Sequence, residues 1–136
     1  MKLKMITVSL VLAFAFIACG KGNAVGEAKA LMNEMISTME KTNSGMEKAE
    51  DGDAAAEILE SFADSMLKMK TKSEELSKKY PELNLDGSEP PPELKEEAEK
   101  LAESMQKFGG IMGSKAAVFA TSEKFQAAAK KLSELN

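Results

Sequence analysis

Few side chains in this sequence are equipped for covalent or acid–base chemistry. There is no His, and the one Cys is at position 19, so the commonest general base and the thiol–imidazole pair are both missing. Serines and threonines occur, but none sits in a Gly-x-Ser-x-Gly elbow or in a Ser-x-x-Lys context carrying the rest of a catalytic signature. Ser114-Lys115 is not enough. The run Gly109-Gly110-Ile111-Met112-Gly113 lacks the lysine and the preceding strand of a phosphate-cradling loop. The expectation is a protein that is not an enzyme, with no catalytic residue and no cofactor.

Two carboxylate groups invite a metal reading. Glu93, Glu96, Glu97, Glu99 and Glu103 form one, and Glu47, Glu50, Asp51 and Asp53 the other. Glu50-Asp51-Gly52-Asp53 does not supply the spacing of a calcium loop. Helical di-metal sites use Glu-x-x-His, which this chain cannot offer. Interleaved lysines at helical spacing favour solvated faces and helix N-termini for these acids, and no metal site. Methionine is the more unusual feature. Met32, Met35, Met39 and Met46 share a spacing with Met66 and Met69 further on. Thioethers bind soft metals such as Cu(I), but His and Cys co-ligands are absent. Adaptable core packing is the simpler use, and a groove for an apolar ligand or partner helix is the alternative.

The lone Cys has a context of its own. Lys2 and Lys4 precede an apolar stretch from Met5 to Ile17, broken only by Thr7 and Ser9, and Ala18, Cys19 and Gly20 follow. A charged start, a short apolar run and small residues at its end describe a secretory signal. The run of about 13 apolar residues is too short to span a bilayer, which takes roughly 20. Phe16-Ile17-Ala18-Cys19 resembles the lipobox of bacterial lipoproteins, with Phe16 in the place of the usual Leu. The resemblance covers the first 20 or so residues only. It implies cleavage before Cys19, with residues 1–18 as the signal peptide, and a diacylglyceryl group on the Cys19 thiol. Two or more acyl chains anchor a protein stably. In enterobacterial sorting an Asp after the Cys retains a lipoprotein at the inner membrane; Gly20 stands there, so the resemblance leans toward the outer membrane.

Composition favours an all-helical domain. The 136 residues allow one domain. Aromatics are 5 % of the chain, and Ala, Glu, Lys, Leu and Met, all good helix formers, dominate. Removing Lys2 and Lys4 from the 18 basic residues leaves 16 against 22 acids. An acidic chain without Arg has no face for nucleic acid. One Cys cannot form an internal disulfide.

Behind a tether at 19–26, the segment 27–136 reads as an all-α domain, a small antiparallel bundle of three or four helices. Val25, Ala28, Met32, Met35, Met39, Thr42, Met46 and Ala49 repeat every seven residues, as in a coiled-coil seam. They predict a first helix over about 24–50, with Asn43-Ser44-Gly45 as its weak spot. Gly52 is expected to end it in a left-handed conformation, and Asp53 to cap the next helix. The second stripe runs Ala55, Leu59, Phe62, Met66, Met69, Ser73, Leu76 and Tyr80, closed by Pro81. A loop over 81–90 follows, with Leu83 and Leu85 tucked over one end of the bundle. The third stripe is Leu94, Ala98, Leu101, Met105 and Phe108. Gly109-Gly110 breaks it, and Ile111, Val118, Phe125 and Leu132 resume it. A tight turn at 109–114 makes four helices; a kinked third helix of about 45 residues makes three. Length matching favours four. Such a bundle, lipid-anchored through Cys19, is expected to act through contacts with another envelope or extracellular protein. The alternative is binding of an apolar small molecule in the Met-rich space.

Overall fold

The computed structural model describes residues 22–81 and 92–135. They form α1 (Gly22–Lys48), α2 (Gly52–Lys79), a 3-10 turn (Pro92–Leu94), α3 (Lys95–Phe119) and α4 (Glu123–Ser133), with no strand among the described residues. The protein is an all-α bundle of four helices. The expected loop over 81–90, with Leu83 and Leu85, lies outside the described residues except for Pro81.

The first two helices follow the periodicity closely. Ala28, Met32, Met35, Met39 and Met46 on α1 and Ala49 just past its end are buried, as are Ala55, Leu59, Phe62, Met66, Met69 and Leu76 on α2. Chain direction is fixed by cross-helix pairs. Glu27 meets Lys79 and Glu34 meets Lys72, so α1 and α2 are antiparallel. Asp51, not Asp53, caps α2: its backbone is extended and its carboxylate accepts the Ala54 N–H at 2.8 Å. Gly52 is therefore the first helical residue and not a left-handed terminator.

The second half departs from expectation at the glycines. α3 runs unbroken through Gly109, Gly110 and Gly113, and the chain turns at 120–122 instead. Three helical glycines cost about 3 kcal/mol relative to alanine. Burial of Phe108, Ile111 and Phe119 on the same helix contributes about 1.5–3 kcal/mol each, which outweighs that cost. Helical continuity also moves the stripe. Phe119, not Val118, enters the core, and Val118 is 49 % exposed.

The turn at 120–122 has its own local chemistry. The Ala120 N–H closes α3 on the Ala116 carbonyl, and the Ser122 N–H reaches the Phe119 carbonyl at 3.1 Å. Ser122 then caps α4, its hydroxyl accepting the Phe125 N–H at 3.2 Å.

α3 packs chiefly on α1, and α4 packs on α2. Lys29–Glu97 and Glu47–Lys107 run in the same order along both helices, so α3 is parallel to α1. Asp53–Lys124 and Asp64–Lys131 make α4 parallel to α2. The fold is two antiparallel hairpins laid side by side in the same direction. Their turns meet at one end, where a methyl on Gly52 would lie 2.7 Å from the Phe119 carbonyl oxygen and closer still to Ser122 Cβ. Phe62 and Phe108, with ring centroids 5.9 Å apart, join the hairpins between α2 and α3.

Candidate functional site

Cys19, the lipidation site expected from the sequence, lies outside the described residues. The segment behind it is shorter than expected. α1 begins at Gly22, so the part of the 19–26 tether from residue 22 onward is helical. Gly26 is accommodated because a helix tolerates an interior glycine at a cost of about 1 kcal/mol.

The methionines line the core. Met32, Met35, Met39, Met46, Met66 and Met69 are all 8 % exposed or less and belong to one apolar cluster with Leu59, Phe62 and Leu76. Met105 and Met112 on α3 are half-buried against it. A surface notch of about 230 Å³ opens elsewhere, between α1 and α3, and its lining is polar: Glu40, Asn43, Glu103, Ser104 and Lys107.

The two acidic groups are drawn into the fold. In the first, Glu96 pairs with Lys100 at 2.6 Å and Glu97 with Lys29 at 2.9 Å. Glu97 is buried at the start of α3, and the Lys29 ammonium bonded to it holds its carboxyl below the usual range, against the opposing effect of burial. In the second, Glu47 meets Lys107, Asp51 caps α2, and Asp53 accepts from the Ser122 hydroxyl at 2.6 Å and the Lys124 ammonium at 2.9 Å. The Ser122 bond is the larger cause of the lowered Asp53 pKa, with Lys124 second. Among the described residues no group of three or more acidic, His or Cys side chains is placed to hold a metal ion.

The basic C-terminal segment is engaged in the same way. Lys124 meets Asp53, Lys131 meets Asp64 at 2.8 Å, and Lys130 lies 3.9 Å from Glu134. Lys115 does something different. Its ammonium donates to the carbonyl oxygens of Met46 at 3.1 Å, Glu47 at 2.5 Å and Ala49 at 2.7 Å. It also lies 5.7 Å from the Phe119 ring centre. The last carbonyls of a helix have no intrahelical partner and carry its negative dipole end. Lys115 closes α1 from another helix.

Asn43, expected at a weak spot of α1, is 2 % exposed and inside the helix. Its amide donates to the Ser104 carbonyl at 2.8 Å, across the α1–α3 seam. Its Oδ1 has no partner among the described residues. Sequence reasoning missed both Lys115 and Asn43, because the partners lie 61 to 69 residues away and leave no local spacing to read.

The class that these observations define is a small four-helix bundle whose charged groups tie helix to helix. No helix of the described residues is long and apolar enough to cross a membrane. Comparison of the chain with protein-family models, with curated proteins and with solved structures finds no match.

Proposed function

We propose that this chain is a lipid-anchored, non-enzymatic protein of the cell envelope, acting through contacts between its helical bundle and another protein. The observation that carries the reading is the chain's only Cys, placed directly after Phe16-Ile17-Ala18 at the end of a short apolar run. Lipidation accounts for that residue and its position together. Gly20 in place of Asp favours the outer membrane as its destination. Confinement at a surface raises the effective concentration of partners without any new contact. The buried side chains pack the bundle and many of the charged ones join its helices, which leaves the exposed surface for contact with a partner. The alternative reading, an apolar ligand among the methionines, requires Met32, Met39, Met66 and Met69 to part from a core in which they are buried.

Mass analysis of the native protein tests the anchor. The expected mature chain starts at Cys19 and carries fatty-acyl mass on it. A free thiol there, or a chain starting downstream, overturns the proposal. Cross-linking in intact cells then tests the contact function: a reproducible heteromeric adduct is expected, and catalytic turnover by the pure protein would reassign it.

A further inference from the structure

A short covalent link selects the end of the bundle that meets the lipid. Cys19 and Gly22, the first residue of α1, are three peptide steps apart. Their Cα atoms lie within about 11 Å of each other whatever path the two residues between them take. The end that carries Gly22 also carries the last turn of α2, with Lys78 and Lys79, its C-cap Tyr80, and the first turn of α3, with Lys95. The Glu27–Lys79 and Lys29–Glu97 pairs hold these three helix ends together. At the opposite end the two turns, 49–51 and 120–122, meet at Gly52. The 27 residues of α1 separate the two ends by about 40 Å.

The long faces of the bundle give no means of lying flat. Among the described residues the exposed large apolar side chains are Leu67 and Val118, on different helices. A helix that rests on a bilayer needs a continuous apolar face beneath a lysine-rich one. Here the lysines along the sides that face neighbouring helices are tied to carboxylates, as Lys72, Lys107, Lys124 and Lys131 show. Lys78 and Lys95 are exposed at the end that the link brings to the surface, interleaved with the exposed Glu75, Glu93 and Glu96, so the covalent link and not charge selects that end.

We propose that the bundle stands on the bilayer by the end where α1 starts and α2 stops. The paired turns at 49–51 and 120–122 then form its membrane-distal tip. The lipid headgroup layer is the partner of the near end, and the tip, with Lys48, Glu50, Asp51, Thr121 and Glu123 exposed on it, is the surface furthest from the membrane. The orientation rests on lipidation at Cys19.

The test uses the full-length lipoprotein in vesicles of phosphatidylethanolamine and phosphatidylglycerol that carry a headgroup acceptor dye. A donor dye is placed on K78C or E50C, both exposed positions, with helix content checked by circular dichroism. The lipidated Cys19 sulfur does not compete for the label. Energy transfer to the lipid is expected to be at least about threefold weaker from position 50 than from position 78, given the ~40 Å between the ends. Equal transfer from the two positions in vesicle-bound protein overturns the upright orientation while leaving the anchor intact. Protein that fails to float with the vesicles overturns the anchor itself, before any transfer is measured.

Discussion

The ammonium of Lys115 on α3 donates to the carbonyl oxygen of Ala49, just past the end of α1, at 2.7 Å. Met46 and Glu47 present two further carbonyls to the same group. One side chain thus closes the first helix and ties the second hairpin to it. Replacing it with an apolar residue of similar length, Lys115→Met, leaves those carbonyls without their charged donor. The expected loss is about 1–2 kcal/mol of stability. A denaturant titration should show a lower midpoint at an unchanged m-value. An unchanged midpoint would mean that water replaces the ammonium at no cost.

Glycine-to-alanine substitutions should carry opposite signs at two places. At Gly52 a methyl meets the Phe119 carbonyl oxygen and Ser122 Cβ, neither of which can move without shifting the turn. Gly52→Ala is expected to destabilise by about 2 kcal/mol or more, although alanine is the better helix former. At Gly109, Gly110 and Gly113 a methyl finds nothing within 4 Å. Each of G109A, G110A and G113A should stabilise by about 0.5–1 kcal/mol. Thermal unfolding of the four variants side by side checks both signs.

The contrast between these glycines also explains what the sequence could and could not disclose. Burial of Met32, Met35, Leu59 and Phe62 was legible because one helix face repeats every three or four residues, which is a local property. The end of α2 at Pro81 was legible for the same reason. Gly109-Gly110 looked like a turn because local propensity was the only signal. What keeps α3 helical there is burial of Phe108 and Ile111 against other helices, a non-local gain that propensity does not contain. The same error placed Val118 inside and left Phe119 out. Asp53, next to the alanines, has the local pattern of a cap for α2; the capping carboxylate belongs to Asp51, two residues earlier. Lys115 and Asn43 could not be found at all without knowing that α3 lies on α1. Cys19 was legible as a candidate from its immediate neighbours alone.

Acid should loosen the bundle. Lys79 holds the Glu27 carboxyl below its ordinary value, Ser122 and then Lys124 hold down Asp53, Lys131 holds down Asp64, and Lys29 holds down Glu97. A carboxyl with a lowered folded-state pKa contributes stability that is fully present above its unfolded value and disappears as pH falls through the folded one. Those ordinary values are 3.8 for Asp and 4.5 for Glu. The unfolding midpoint should therefore be flat from about pH 7 to about pH 5.5 and fall below about pH 4.5. The double substitution Asp53→Asn, Asp64→Asn should make the acid limb shallower. Lys79, Lys100, Lys124 and Lys131 are raised by the same kind of pairing with Glu27, Glu96, Asp53 and Asp64. Their contribution is present below 10.5 and is lost as pH rises through their folded values, so an alkaline limb should mirror the acid one. A midpoint independent of pH across the acid range would sink the assignment of these pairs as helix ties.

Asn43 is the sharpest probe of the seam between the hairpins. Its side chain is buried, one end bonded to the Ser104 carbonyl and the other without a partner among the described residues. Removing the whole polar group takes away one hydrogen bond and one unpartnered oxygen together, and the Ser104 carbonyl, inside α3, keeps its intrahelical donor. Asn43→Leu should accordingly change stability by less than about 1 kcal/mol. Asn43→Asp has nearly the same shape but places a charge beside a carbonyl oxygen that can only accept. It should cost about 2–3 kcal/mol at neutral pH, and part of that cost should vanish in acid, where the new carboxyl is protonated. If the two variants unfold at the same denaturant concentration at pH 7, the side chain faces water and does not join α1 to α3.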